Sequence, residues 1–591
     1  MPGKKRVVIV GGVAGGASAA ARCRRLSEDS EIIMFERGEY ISFANCGIPY
    51  HLSGAIASRD ELFVQSPERM RRRFRIDVRT STEVTRIDRE RREVLARELK
   101  TGREERVGYD ALVLSPGAEP IKPRIPGVES SRVFTLRTIP DMDRLQAALD
   151  REKGGRAVII GGGYIGLEMA EALKSRGLEV AVVEALPGVM STLDPEMAAF
   201  IEEHLVAKGV ELRLKSAVSV IRESGDGGLE LELSNGQSLK CGFAVLAVGV
   251  RPEISLAKEA GLAIGGLGGI VVDEQMRTSD PAIYAVGDAV EVVQLVGGYA
   301  AYVPLAGPAS RQGRIAADNI FGRNSVYQKT QGTAICKVFD LAVGITGLNE
   351  KTLRAKKIPY EKIYLQPLHH AGYYPGAEPI IIKLLFSPES GKLLGAQLVG
   401  TQGVDKRLDV LAVALRGGLT VFDLEHLELG YAPPFGSAKD PVNMAGFVAA
   451  NVLRGDVKIC HSEQALSPLP SQMLLDVRSR GEFKRGTIPG AVHIPLNDLR
   501  DRLSELPREK ELLVFCQTGL RSYLACRILS QKGFNCLNLN GGYQIFQATA
   551  GRLTGPNPES GNKGDGGIGR ESSPVANAKM EKSAPGTKSC C

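Results

Sequence analysis

Two glycine loops, each standing between an apolar strand and a helix, constrain this chain more than anything else in it. Arg6–Val10 is a short β-branched strand, followed by Gly11-Gly12-Val13-Ala14-Gly15-Gly16 and an alanine-rich helix to about Leu26. The next strand, Glu31–Phe35, ends on Glu36, about 25 residues after the first glycine. Arg156–Ile160 repeats the pattern, with Gly161-Gly162-Gly163-Tyr164-Ile165-Gly166, the helix Leu167–Arg176 and the strand Glu179–Val183 closing on Glu184. Glycines let the backbone approach a pyrophosphate, the helix N-terminus favours its charge, and the acidic strand end accepts ribose hydroxyls. The fingerprint is complete at Gly161, Gly163 and Gly166. In the first loop Val13 replaces the middle glycine, leaving Gly11, Gly12, Gly15 and Gly16 to line it. Two loops imply two dinucleotides and a hydride relay between them. A carboxylate at Glu184 suits a free ribose hydroxyl and repels a 2′-phosphate, so the second site reads as NADH rather than NADPH.

The length, 591 residues, exceeds one core and implies three to five domains. A net charge of +7, from 75 basic and 68 acidic residues, is a mild excess over a large surface and gives no case for nucleic acid. The ten cysteines lack the dense spacing of secreted scaffolds, which fits a reducing, cytoplasmic setting. The basic, apolar N-terminus imitates a signal peptide, but its glycines have nucleotide-loop spacing. No apolar run approaches the ~20 residues of a membrane helix, and no Cys/His cluster has metal-site spacing.

The stretch Ser42–Tyr50, SFANCGIPY, places Cys46 about ten residues beyond the first acidic strand end. No second cysteine is near, so a redox role would use one thiol cycling with a substrate sulfur or oxygen; a buried, inert thiol is the alternative. Leu112–Ala118 and Ala244–Pro252 are buried strands running into glycine turns, as crossings between two nested domains require. Asp288 follows another strand in TSDPAIYAVGDA. Near the C-terminus, Leu512–Cys516 is a buried strand delivering a cysteine into the loop Gln517–Ser522, with a helix beyond. A loop whose amides converge on Cys516 at a helix N-terminus would stabilise a thiolate or persulfide, with Arg521 adding positive charge. Cys526 and Cys536 read as core.

Together, over roughly residues 4–450, these motifs resemble the two-dinucleotide flavoprotein disulfide reductases. The resemblance implies FAD in the first site, with Asp288 binding its ribityl chain, and a dimer-forming third domain. SFANCGIPY is similar to the single-cysteine branch of coenzyme A-disulfide and NADH-dependent persulfide reductases. The sister branch of NADH oxidases and peroxidases carries a histidine at the position of Ala14, so its absence favours a sulfur substrate. By the same resemblance coenzyme A falls on Ser18, Arg22, Arg25, Ser42, Asn45, Arg73, Lys439 and Ser310, a partly cationic set suited to its phosphates. Tyr373 and Tyr431 match two tyrosines reached across the dimer to steady a leaving thiolate; packed loop aromatics are the alternative. His369 and His370 read as structural or ligand-adjacent. The segment holding Asp476-Val477-Arg478, Ile488–Pro495 and Cys516–Ser522 resembles a single rhodanese domain, which implies sulfur transfer at Cys516.

The expected architecture is α/β: nested Rossmann-like FAD (1–115 and 246–325) and NAD (116–245) domains and an α+β dimerisation domain (326–454). A linker (455–470), an α/β rhodanese domain (471–552) and a disordered tail (553–591) ending Cys590-Cys591 complete it. The expected function is FAD- and NADH-dependent reduction of coenzyme A persulfide, polysulfide or coenzyme A disulfide at Cys46, in a homodimer without membrane or nucleic-acid partners, with Cys516 supplying sulfane sulfur. An NADH oxidase or peroxidase, and a sulfurtransferase or persulfide carrier with a redox-sensing flavin domain, remain as alternatives.

Overall fold

A computed structural model describes residues 4–152, 154–225 and 227–553. The Cys590-Cys591 tail lies outside them. The first glycine loop belongs to a parallel sheet in which Ile283–Ala285, Ala111–Leu114, Arg6–Val10, Glu31–Phe35 and Asp77–Arg79 stand side by side. The second loop belongs to another parallel sheet, ordered Val210–Arg213, Glu179–Val183, Arg156–Ile160, Phe243–Leu246 and Val133–Phe134. Both sheets place their central strands among helices, and Val7, Val8, Ile9, Ala157, Val158 and Ile159 have no exposed surface. The two chain crossings meet as a ribbon, Ala118–Pro120 antiparallel to Val250–Pro252.

The third unit is an antiparallel sheet of Ala334–Val338, Leu341–Gly347, Leu393–Gly400, Ile380–Phe386 and Glu361–Leu365, backed by the helices Val404–Gly417 and Pro441–Leu453. A fourth, parallel sheet runs Ile459–Cys460, Cys536–Leu539, Glu511–Phe515, Gln472–Asp476 and Val492–His493. Its first strand corrects the expectation of a linker over 455–470. Ile459 and Cys460 pair with Asn538 and Leu539, and Ser462–Leu466 is helical. A two-residue strand has no periodicity of its own; distant pairing creates it.

The fourth unit is docked on the rest. Glu361–Leu365 is the edge of its sheet, and Asn540 caps that edge. Its Oδ1 accepts the Tyr364 backbone N–H at 2.9 Å, and its Nδ2 donates to the Lys362 carbonyl at 2.8 Å. Ile545 and Ala548, from the helix Gly542–Leu553, share a core with Met197, Phe200 and Ile201 of the NAD-side helix Pro195–Ala207. Beneath this junction lies Lys383, wholly buried, with its ammonium 2.7 Å from both Asp194 and Glu350 and bonded to Glu196. The three carboxylates are close enough to share a cation, and Lys383 is that cation.

Burial alone would raise the pKa of Glu196 and Glu350, but Lys383, joined at Glu350 by Lys362, outweighs it and holds both below the ordinary value. The same carboxylates raise Lys383 despite its burial. A depressed carboxylate contributes stability above its unfolded pKa of ~4.3 and loses it as pH falls through the folded value. Lys383→Ala is therefore expected to cost about 3–5 kcal/mol, measured by denaturant unfolding at neutral pH. The deficit relative to the parent should shrink on acidification below about pH 4.

Candidate functional site

The first glycine loop is a cradle built by close backbone approach. Gly11 has φ +95°, and a Cβ on Gly16 would lie 1.9 Å from the Gly11 carbonyl oxygen. Glu36 accepts the Gly12 N–H at 2.8 Å through one oxygen and the Gly38 N–H at 2.8 Å through the other, fixing the strand end to the loop. Asp288 sits in the turn Gly287–Ala289 over the same sheet; burial raises its carboxyl pKa and Arg137 opposes that. Sequence reasoning missed Arg137. Its guanidinium donates to the Pro116 carbonyl at 2.9 Å, and burial lowers its pKa. The T-x-x-D cap at Thr138–Asp141, which orders the helix after it, was the available signal. The buried Tyr302 hydroxyl has no hydrogen-bond partner among the described residues. A cradle closed to any Cβ, a ribose-level carboxylate, a half-buried guanidinium and an orphan hydroxyl fit FAD.

The second loop repeats this construction. Gly161 has φ +110°, and a Cβ on Gly166 would meet the Gly161 oxygen at 2.1 Å. Glu184 accepts the Gly162 and Leu186 N–H groups at 2.7 Å each, so its carboxylate is held at the loop. These residues fit NAD(H).

Cys46 is exposed in the turn Asn45–Gly47, which leads into the helix Ile48–Ser53, and its N–H donates to Asn45 Oδ1 at 3.0 Å. Two tethers bind its turn to both nucleotide units. Ser42, held at φ +45°, donates its N–H to the Gly12 carbonyl at 2.8 Å, a left-handed conformation for a residue that is not glycine. Tyr50 donates its hydroxyl to Glu168 Oε1 at 3.2 Å, and Glu168 lies on the NAD-side helix Tyr164–Ser175. Burial raises the pKa of both groups. Neither was singled out from sequence, because nothing local pairs residues so far apart.

Of the residues expected to hold coenzyme A, Ser18, Arg22 and Arg25 lie on the helix Ala14–Leu26, and Ser310 on the helix Ala306–Ile320 packed against it. Ser42 and Asn45 flank Cys46. Arg73 ends the helix Pro67–Phe74, and Lys439 precedes the helix Pro441–Leu453. Arg25, Asn45, Arg73, Ser310 and Lys439 are exposed. Arg22 differs: its guanidinium is 2.7 Å from Asp318, so its charge is already compensated.

Tyr373 and Tyr431 come together, their hydroxyls 2.8 Å apart, and are 75% and 48% exposed beside the exposed Phe435. His369 and His370 are buried beneath them. His369 bonds the Glu378 backbone, and its carbonyl accepts from Arg407, which pairs with Asp440 at 2.8 Å.

In the fourth unit the Cys516 sulfur accepts the Gly519 N–H at 3.1 Å and lies 3.4 Å from the Ser522 hydroxyl. Tyr543 N–H and Gln544 N–H hold the back of the loop through the Cys516 and Gln517 carbonyls. Arg521 stands at this loop, but the positive charge expected of it is offset. Its two terminal nitrogens donate to Glu482 at 2.7 and 2.6 Å. That fork, with Ser479, pulls the Glu482 carboxyl down to about 2. Cys526 and Cys536 are buried.

Two parallel-sheet nucleotide units, an exposed thiol on a segment bonded to both and a separate cysteine-bearing sheet define a two-dinucleotide oxidoreductase with an appended sulfur-handling domain. The chain belongs to the pyridine nucleotide-disulphide oxidoreductase family, whose model matches residues 5–313. The family's dimerisation domain matches residues 333–441, and a rhodanese-like domain matches 462–549. The reduced CoADR-RHD of Bacillus anthracis is 49% identical with a TM-score of 0.91, covering 93% of this chain and 98% of that one. An NAD-dependent persulfide reductase from A. fulgidus is 39% identical with a TM-score of 0.86, covering 91% and 99%. Among curated proteins, an NADH oxidase of Methanocaldococcus jannaschii is 36% identical over 74% of this chain and 97% of its own length. The NAD(P)H coenzyme A polysulfide/persulfide reductase of Pyrococcus horikoshii is 35% identical over 76% and 99%.

FAD and NAD(H) are the cofactors of this family. Gly16→Ala is expected to yield protein without flavin, read from the absorbance of the purified chain. Gly166→Ala should keep flavin and lose its reduction by NADH, because the nearest atoms to each Cβ belong to its own loop and the strand before it.

Proposed function

We propose that this chain is an NADH-dependent reductase of coenzyme A persulfide, polysulfide or coenzyme A disulfide, working as a homodimer with Cys46 as its redox thiol. The observation that carries the reading is the exposed Cys46 tethered to both nucleotide units, by Ser42 to Gly12 of the first loop and by Tyr50 to Glu168 on the helix that follows the second. NADH and FAD, when bound, supply the reducing electron pair. The Cys46 thiolate attacks the sulfur–sulfur bond of the substrate. The bond breaks with its electron pair on departing sulfide or thiol, leaving a mixed disulfide on Cys46 that is reduced back to thiolate.

The exposed Tyr373–Tyr431 pair lies in the family's dimerisation unit, and in the homodimer it reaches the thiol site of the other protomer to protonate the departing sulfur. Ser18, Arg25, Ser42, Asn45, Arg73, Ser310 and Lys439 hold coenzyme A, with Arg22 acting through its pair with Asp318. Glu184 selects NADH over NADPH. Cys516 takes up sulfane sulfur and the coenzyme A arm carries it to Cys46, a transfer whose local concentration the fused domain raises. In this reading the units are 1–115 with 246–325 for FAD, 116–245 for NAD and 326–454 for the dimer, with the sulfurtransferase unit beginning near 459. Among the described residues no helix is long and apolar enough to cross a membrane, and a reducing cytoplasm suits the free thiols.

The likeness to an NADH oxidase favours a second reading, oxygen or peroxide reduction through the same thiol. Ala14, where that branch carries a histidine, and the rhodanese-like unit count against it. The deciding experiment is anaerobic NADH oxidation with coenzyme A persulfide, coenzyme A disulfide and peroxide in parallel, with sulfide recorded. Persulfide turnover is expected to release sulfide and to fall at least ~1,000-fold in Cys46→Ser, on the scale of losing an essential nucleophile. Faster turnover of peroxide than of either sulfur substrate would install the second reading.

A further inference from the structure

Among the described residues, both arginines at the Cys516 loop have a carboxylate partner, and Arg521 also faces the Cys516 sulfur. Arg521 is forked onto Glu482 at 2.7 and 2.6 Å. The neighbouring Arg478 is buried, bonded to Asp476 at 2.7 Å and to Gln517 Oε1 at 3.3 Å. Glu482 is itself anchored, its Oε2 accepting the Ser479 N–H at 2.9 Å and the Ser479 hydroxyl at 2.7 Å. Its carboxyl is ionised throughout the working pH range. The lip of the loop is apolar: Leu520 is 60% exposed and Leu524, one turn along the same helix, 44%. Phe483, next to Glu482, stacks on His493 with ring centres 4.2 Å apart.

Resting on the reading of Cys516 as a sulfane-sulfur acceptor, we infer that Glu482 sets the donor preference of this site. By occupying the Arg521 fork it disfavours the dianion thiosulfate and favours organic persulfides. Thiosulfate brings two negative charges and a sulfonate that needs forked cationic donors, which Glu482 has already engaged. An organic persulfide brings at most one charge, on its terminal sulfur, and a carbon arm that lies on Leu520 and Leu524. In either case the Cys516 thiolate attacks the sulfane sulfur. The donor's S–S bond breaks with its electron pair on departing thiolate or sulfite, and Cys516 keeps the transferred sulfur as a persulfide; no outside oxidant or reductant takes part. Glu482 touches none of the reacting atoms and acts through Arg521.

The test uses the full chain and follows the added sulfur on Cys516 by mass after exposure to thiosulfate or to the persulfide of 2-mercaptoethanol. The parent is expected to load at least about tenfold faster from the persulfide. Glu482→Gln frees the Arg521 fork and should raise loading from thiosulfate about tenfold, through a lower KM rather than a higher maximal rate. That reaction should also become more sensitive to salt. Glu482→Asp, which keeps the charge, should restore the parent preference. Arg521→Gln leaves Glu482 unbalanced and should widen the preference, which keeps the idea testable if Glu482→Gln fails to fold. An unchanged donor ratio in Glu482→Gln or Arg521→Gln, with Cys516 still loading, overturns the inference. Failure of the parent's Cys516 to load from either donor overturns instead the reading on which it rests.

Discussion

The approach of Gly16 to the Gly11 carbonyl, closer than any Cβ permits, is the constraint on which the site depends. It folds the helix Ala14–Leu26 down onto its own strand, turning the helix N-terminus and the loop amides toward one point. Gly12 then serves in two directions. Its N–H goes to Glu36 and its carbonyl accepts Ser42, so the ribose-level carboxylate and the thiol-bearing turn are positioned by one residue. Displacing that loop would move Cys46 with it, as well as the dinucleotide.

A second constraint joins the domains. The buried triad of carboxylates around Lys383 would be costly to assemble without the cation, and Lys383 would be costly to bury without them. Asp194 and Glu196 come from the NAD side; Lys383 and Glu350 come from the dimerisation unit. One strand away, Lys362 joins Glu350 through its ammonium and receives Asn540 through its carbonyl. Three units therefore meet across two neighbouring strands, and the sulfurtransferase-like unit covers a sheet edge that would otherwise expose unpaired backbone groups. Such docking gives Cys516 a fixed place on the body.

Much of the fold was legible because its signals are local. A β-branched strand, a glycine run and an acidic strand end lie within about 25 residues of one another and obey simple steric and electrostatic rules. The strand delivering Cys516 was legible for the same reason. The short strand Ile459–Cys460 was not, because two residues carry no period and their pairing partner is Asn538–Leu539, far along the chain. Glu168 was invisible for a related reason: on one line of sequence it is an ordinary charged residue on a helix, whereas Arg137 had only the adjoining T-x-x-D cap to mark it. The partner of Arg521 was invisible because Glu482 stands 39 residues away.

By itself the sequence determined the two nucleotide units, the lone thiol in SFANCGIPY and the second thiol in its loop, since each is written in contiguous residues whose backbone and charge requirements are short-ranged. Only the tertiary structure decided which charges remain available. Arg22 is matched by Asp318, Arg521 by Glu482 and Lys383 by three carboxylates, and each pair is made by chain segments that fold together from a distance. Coulombic attraction depends on separation in space, which packing sets and sequence order does not.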